Sequence, residues 1–493
     1  LEYELSRESK FGRQGGRAAW PELKPDVLMY VTNVKPCLYP PIPETVEKYK
    51  ALGCKMLSVR ATLDHQVKVG KIEDRAAGWR NFNLLKTDKK AQDDAVHDAS
   101  TKRIWEKAWA YIFSYIRKQK NRIFIPAPFC VNILQAQYHD PFLEAIQKDL
   151  RANKINSPFT FWGDKVSFKF LFEELMAVKS KEARGHIVLN VVRDFYHMDT
   201  TQGPEQKAKH YVPKLAAAFG FKPGSPSYQE MEDKILFSNR MSIATPDGMI
   251  RNKVKGEGSG ATVTNNGECG SNEDYTEAMH REVDSRCKRI GLVAGKHYRL
   301  LDSYGNGDDG IDRYEILKMT EDELGLFKDI IQKSAEYIAD QFGFIVNEKW
   351  KISTEYGIYC QYEIYIDDSG NFHADYPVSL ALNAGMHPMR EVSKSVWDSD
   401  YVDWRWESIL RPLANRQDFT AVVDYVDNGL KYGLFGKTQA DFDRIFSKYE
   451  KYKALRDSSY QFNIWDEEMD KHPELSPVIL YIAQKRGITV PNQ

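Results

Sequence analysis

Cysteine, net charge and long apolar runs are what this chain has little of, and each shortage excludes something. Its 493 residues hold six cysteines, Cys37, Cys54, Cys130, Cys269, Cys287 and Cys360. They form no C-x-x-C pair and no Cys/His cluster at zinc spacing, so neither a zinc framework nor a disulfide scaffold is expected, only reduced thiols that pack. No apolar run approaches the roughly 20 residues that span a bilayer, and no helical membrane anchor is expected. Internal repeats and long low-complexity segments are also missing, so domain boundaries must come from patterning. The formal net charge is only -1, yet it is unevenly spread. Residues 1–200 carry 33 Lys+Arg against 24 Asp+Glu, a balance of +9, and the remaining 293 carry -10. Such asymmetry points to one half facing a polyanion.

What is present is 42% apolar residues with 27 Tyr, 24 Phe and 10 Trp. That composition predicts a soluble, aromatic-rich globular protein, the length of 493 residues predicts one large enzyme built from subdomains or two to three domains, and the polar opening "LEYELSRESKFGRQGGRAAW" predicts an intracellular setting. Residues 100–120 place Trp105, Ala108, Trp109, Ile112, Tyr115 and Ile116 at helical spacing and predict a helix. "NRIFIPAPFCVNIL" then predicts a β-rich run punctuated by Pro126 and Pro128. "GHIVLNVV", at 185–192, predicts a buried strand that delivers Asp194 at its end. "FKPGSPSYQE", at 221–230, is expected to be a loop.

"GEGSGATVTNN", at 256–266, is a Gly/Ser/Thr loop whose glycines let backbone approach a phosphate or sugar closely. A helix follows, with Tyr275, Met279 and Val283 on one face. The glycines of "NNGECGSNEDY" predict that it starts late. Residues 321–343 predict an amphipathic helix stopped by Gly343. "YGIYCQYEIYIDDSGNF" predicts strands with a turn at Asp368-Ser369-Gly370, and the last hundred residues predict a mostly helical terminal subdomain.

The acidic residues gain meaning from their order. Asp194 and Asp199 stand five apart after the buried strand, and Asp308 and Asp309 sit between Gly307 and Gly310 on a hairpin turn. Two divalent cations about 3.5–4 Å apart, as in phosphoryl transfer, need carboxylates from separate strands, and one Asp from each segment suffices. Taken singly, G-D-D-G is good surface-turn composition and "SGATVTNN" a good helix cap. An acidic strand end, a Gly-Ser loop before a helix and a double-Asp turn in succession are more specific.

That succession resembles the palm of viral RNA-dependent RNA polymerases. Asp194 and Asp199 are similar to the two aspartates of motif A, Ser259, Gly260 and Thr264 to the S-G-x3-T core of motif B, and Gly307-Asp308-Asp309 to the G-D-D of motif C. "KQKNRIFIPAP" resembles motif F, with Lys118, Lys120 and Arg122 as its cations; "FGFIVNEKWKIS" resembles motif D and "YGIYCQYEIYI" motif E. The stretch around Arg75 and Trp79 is a candidate template contact. "MDTTQ", "TNN" and the chain length look most like the picobirnavirus and partitivirus enzymes of double-stranded RNA viruses.

The resemblance implies an α+β right-hand fold. Fingers would span 1–185, with motif F near 118–128, and 203–255. The palm, an antiparallel sheet plus helices, would span 186–202 and 256–375, and a mostly helical thumb 376–493. It implies Asp194, Asp308 and Asp309 as catalytic metal ligands, with Mg²⁺ or alternatively Mn²⁺. Asp199, Ser259, Gly260, Thr264 and Asn265, or Asn266 in its place, would line the ribose side. Lys120 and Arg122 would meet the triphosphate, and Lys349, or Lys351, would protonate pyrophosphate. The implied partners are RNA template and product, ribonucleoside triphosphates and viral capsid protein, without a membrane, in host cytoplasm and virion interior. A reverse transcriptase is disfavoured because Gly307 precedes the two aspartates and motif A carries a second Asp instead of a bulky gate. A metal-dependent glycosyl- or phosphotransferase would not require the Ser-Gly-x3-Thr loop. The non-enzymatic alternative, an RNA-binding or capsid-associated protein, predicts that Asp194 and Asp308 lie far apart.

Overall fold

The computed structural model describes residues 18–32, 35–69, 71–72, 76–101, 104–117, 120–153, 157–162, 187–256, 262–347, 350–367, 369, 372–387, 399–449, 452 and 472–490. The N-terminal part holds helices α1 (Trp20–Met29), α2 (Pro43–Glu47), α3 (Val59–Lys68) and α4 (Lys89–Ser100). The helix expected over 100–120 is not formed. A short 3-10 turn, Ile104–Lys107, leads instead into strands β1 (Trp109–Tyr111) and β2 (Phe113–Arg117), and β2 pairs antiparallel with β3 (Lys120–Phe124). "WAYIFSYI" is dense in aromatic and β-branched side chains, which suit a pleated surface, and a short apolar run satisfies helical and strand spacing alike. The β-rich run expected next is confined to β3 and its exit. Beyond Pro126 and Pro128 the chain forms α5 (Phe129–Asn153), with Pro141 inside it.

Strand β4 (Ile187–Arg193) precedes α6 (Met198–Thr201), α7 (Pro204–His210), α8 (Val212–Ala218) and α9 (Pro226–Arg240). Only the first half of 221–230 is loop: Ser225 accepts a hydrogen bond from the Tyr228 N–H and caps α9, with Pro226 at its first position. Strand β5 (Ser242–Ala244) runs parallel to β1 and antiparallel to β6 (Ile250–Asn252). Residues 203–255 share an interior with the N-terminal part, because Tyr211, Leu215 and Ile235 pack with Tyr138, Phe142 and Trp162.

Helix α10 (Thr264–Arg289), the hairpin of β7 (Tyr298–Asn306) and β8 (Asp309–Ile316), α11 (Glu321–Phe342) and β9 (Lys351–Ser353) follow. The central sheet is antiparallel in the order β7-β8-β4-β9, so β4 is hydrogen-bonded along both edges. Leu189 and Val191 of β4 pack with Tyr275, Met279 and Val283 of α10 and with Ile331, Ala335 and Phe342 of α11. Each of the Leu, Val, Ile, Met and Phe side chains among them contributes about 1.5–3 kcal/mol by leaving water. Helix α11 ends as expected at Gly343, with φ 76, and the structure adds a Thr320/Glu323 capping box at its start. Helix α10 does not start late. Its glycines serve close packing, since a Cβ on Gly270 would stand 3.2 Å from the His210 carbonyl oxygen. Buried partners hold its polar residues: Lys214 Nζ lies 2.7 Å from Glu273 and 2.8 Å from Asp274. These tertiary contacts override the weak helix propensity.

A smaller antiparallel sheet, β10 (Tyr356–Tyr359), β11 (Tyr362–Ile366) and β12 (Phe372–Asp375), comes next. Its second hairpin pairs Ile366 with Phe372 around the expected turn, of which Asp368 and Gly370 lie outside the described residues. The C-terminal part is helical as expected: α12 (Val378–Met386), α13 (Ser399–Leu410), α14 (Phe419–Gly429), α15 (Gln439–Ser447) and α16 (Pro477–Arg486). Its interior, with Trp404, Val423, Phe435, Phe442 and Ile482, is continuous with Tyr304 and Ile311 of the central hairpin. All six cysteines are free thiols, five of them buried. Among the described residues no helix is long and apolar enough to cross a membrane.

Candidate active site

Two strand ends bring the acidic residues together. The register Arg193↔Gly310 sets the end of β4 beside the start of β8, so Asp194 emerges next to the β7–β8 turn. Asn306 pairs with Asp309, which leaves Gly307 and Asp308 as a two-residue turn, and Gly307 takes the φ of 64 that favours glycine there. Asp199 sits on α6, the one-turn helix after His197, itself left-handed at φ 49. Asp194, Asp199 and Asp308 line one cavity of about 520 Å³. Enclosure by protein pushes the Asp308 carboxyl well above its usual range, and the charges of Asp309, Asp194 and Asp199 push it further. Asp309 lies outside the cavity lining, and its charge also raises the Cys360 thiol on β10's turn, after burial.

A buried polar clamp fixes this geometry from behind. Asn272, at the centre of α10, donates to the carbonyls of Gly307 (2.9 Å) and Asp309 (3.2 Å). Arg193 donates to Asn272 Oδ1 and to the Tyr304 carbonyl (3.1 Å), and pairs with Asp312. The Asp194 carbonyl accepts from the Asn347 N–H at 3.0 Å, and Tyr196 N–H donates to Ile345 at 2.8 Å. Both strand ends are thus held through their backbones.

The other expected residues divide. Arg122, on β3, lines the cavity; Lys120 is on the same strand. Thr264 opens α10. Asn265 donates to Asn306 Oδ1 at 3.2 Å, flanking the turn instead of the cavity, and Asn266 bonds His139 Nε2 at 2.6 Å. Lys351 reaches Tyr356 OH at 3.4 Å and does not line the cavity. Arg75, Lys118, Ser259, Gly260 and Lys349 lie outside the described residues, while Trp79 stacks with the Arg80 guanidinium. Sequence reasoning missed Glu268 and Tyr30, which both line the cavity. Glu268 is one turn beyond Thr264 on α10, a spacing that the helix would have revealed. Tyr30 is remote in sequence and had no local signal. Among the described residues no three His, Cys, Asp or Glu side chains converge tightly enough to cage a metal unaided.

No protein-family model and no curated protein matches the sequence. The fold is similar to the crystal structure of the RNA-dependent RNA polymerase of a human picobirnavirus, with a TM-score of 0.69 at 18% identity, covering 98% of this chain and 87% of that one. It is also similar to the insertion loop deletion mutant of such a polymerase, at a TM-score of 0.66, 17% identity and the same coverage. The chain therefore has the α+β fold of a viral RNA-dependent RNA polymerase. Within that class the similarity runs to the picobirnavirus enzymes.

Proposed function

We propose that this chain is an RNA-directed RNA polymerase, which extends RNA on an RNA template and so replicates and transcribes a viral RNA genome. The observation that carries the reading is the meeting of Asp194, Asp199 and Asp308 on one cavity, within a fold shared with viral RNA polymerases. A non-catalytic RNA-binding or capsid-associated protein gives no reason for two separate acidic segments to meet. Residues 1–185 and 203–255 act as fingers, 186–202 and 256–375 as palm, and 376–493 as thumb.

The acidic groups suit a hard divalent cation. All offer oxygen, and the repulsion that raises Asp308 is one a cation relieves. Mg²⁺ is commonly held by one or two carboxylates together with substrate phosphates and water, a donor set that Asp194 and Asp308 can supply. Asp194 and Asp308 would hold Mg²⁺ or Mn²⁺, with Asp309 adding charge from behind the turn. Two such cations, when bound, would activate the primer hydroxyl and neutralise the departing pyrophosphate.

The chain's own residues bind and orient. Arg122 at the cavity neutralises the triphosphate, joined by Lys120, because a guanidinium offers phosphate a planar set of donors and a permanent charge. Asp199, with Ser259, Gly260 and Thr264, reads the ribose, whose 2′-hydroxyl separates RNA from DNA precursors, while Asn265 braces the turn from the side. Lys349 supplies a proton to pyrophosphate. The test is incubation of purified protein with a single-stranded RNA template, four ribonucleotides and Mg²⁺ or Mn²⁺. Complementary RNA product is expected; folded protein that makes none, primed or unprimed, would overturn the proposal.

A further inference from the structure

One part of the cavity wall comes from Asp26, Met29 and Tyr30, at the end of α1. Tyr30 is buried and touches three pieces of the chain. Its hydroxyl lies 3.2 Å from Thr200 Oγ1, which lies 3.2 Å from Asp199 Oδ1. Thr200 has one hydrogen to give, so both contacts are met together when Tyr30 O–H donates to Thr200 and Thr200 O–H donates to the carboxylate. The Tyr30 carbonyl accepts from the N–H groups of Val254 (3.0 Å) and Lys255 (3.4 Å). Its ring packs under Gly256, which has φ 77, and a Cβ there would stand 2.5 Å from Tyr30 Cδ1 and 2.9 Å from the Thr200 carbonyl oxygen. Gly256 is further held by the Gln202 carbonyl, 2.8 Å from its N–H, and by Asn239 Nδ2, 3.2 Å from its carbonyl. The Lys253 ammonium sits 5.4 Å from the centre of the same ring.

We propose that Tyr30 is a positioning residue for ribose selection, orienting the Asp199 carboxylate through Thr200 and backing Gly256 with its ring. The inference rests on the polymerase reading above. With one carboxylate oxygen held by Thr200, the other is turned to the nucleotide. Without the relay the carboxylate rotates freely and its bond to a 2′-hydroxyl weakens. A 2′-deoxynucleotide never makes that bond, so only the ribonucleotide suffers. Plain packing by the Tyr30 ring predicts parallel effects on both.

The test measures single-nucleotide incorporation of a ribonucleotide and its 2′-deoxy counterpart by wild type, Tyr30→Phe and Thr200→Val, both substitutions close to isosteric. Each variant is expected to lower the ribo-to-deoxy ratio of kcat/KM by roughly fivefold or more, the size of one lost hydrogen bond, mainly by raising the ribonucleotide KM. Ratios that stay at the wild-type value, or a shift in one variant without the other, overturn the proposal. Wild-type protein that incorporates neither nucleotide overturns the polymerase reading and this inference with it. Wild-type synthesis with an unmoved ratio overturns the role of Tyr30 alone.

Discussion

Arg193 and Asp312 face each other from β4 and β8, Nε 2.8 Å from Oδ2, with no solvent reaching either side chain. Arg193 precedes Asp194 by one residue and Asp312 follows Asp309 by three, so the pair ties together the two strands that carry the acidic residues. Burial alone would raise the Asp312 carboxyl; Arg193, His280 and Ser303 outweigh it and hold it below its usual range.

Asp312→Asn is therefore expected to destabilise the protein by about 3–5 kcal/mol, because it strands a buried guanidinium. Urea unfolding at neutral pH reads this directly. A loss under about 1 kcal/mol, the size of a surface ion pair, would contradict the clamp. Because the folded carboxyl titrates below its unfolded value, the contribution is present above about pH 4 and is lost as pH falls through the folded value.

Gly307→Ala tests the turn. At φ 64 a Cβ would stand 2.7 Å from Asn265 Oδ1 and 3.2 Å from Glu268 Oε2. The left-handed backbone alone costs about 1–2 kcal/mol. A turn displaced by even 1 Å is expected to lower nucleotide incorporation by about a hundredfold. Unchanged incorporation would show that the turn tolerates a side chain and that its position matters little.

Asp403, on α13, makes the opposite pH prediction. Burial pushes its carboxyl up to about 8, against a hydrogen bond from the Phe435 N–H, with Asp400 adding like charge. An unfolded Asp titrates near about 4, so between that value and about 8 the folded state keeps a proton that the unfolded state releases. Stability should fall as pH rises through this window. Asp403→Asn, which cannot ionise, is expected to melt above wild type at pH 8 and to close the gap at pH 5. Equal melting temperatures at both values would refute the raised pKa.

The acidic core of the site was legible in the sequence because its parts are local: a buried apolar strand ending in Asp194, and a glycine-flanked turn holding Asp308. Helix α11 was legible for the same reason, with its amphipathic spacing and its Gly343 stop. Residues 100–120 were misread because aromatic and β-branched residues there satisfy helical spacing while pairing with β3 and β5. The early start of α10 was hidden because Lys214 and Asn272's partners, far away in sequence, stabilise residues with little helix propensity of their own. Tyr30 was invisible for a related reason. Its meaning lies in contacts with Thr200 and Gly256, about 170 and 226 positions away.

The most direct test of the central claim is templated incorporation of one ribonucleotide by wild type against Asp308→Asn, with thermal melting of both. Asp308 is held among like charges, so the neutral variant is expected to melt at or above the wild-type temperature. Its incorporation rate should nonetheless fall by about a thousandfold or more, the several kcal/mol that metal-held charge stabilisation supplies. A folded Asp308→Asn protein that incorporates the ribonucleotide at the wild-type rate would contradict the assignment of this cavity as a polymerase active site.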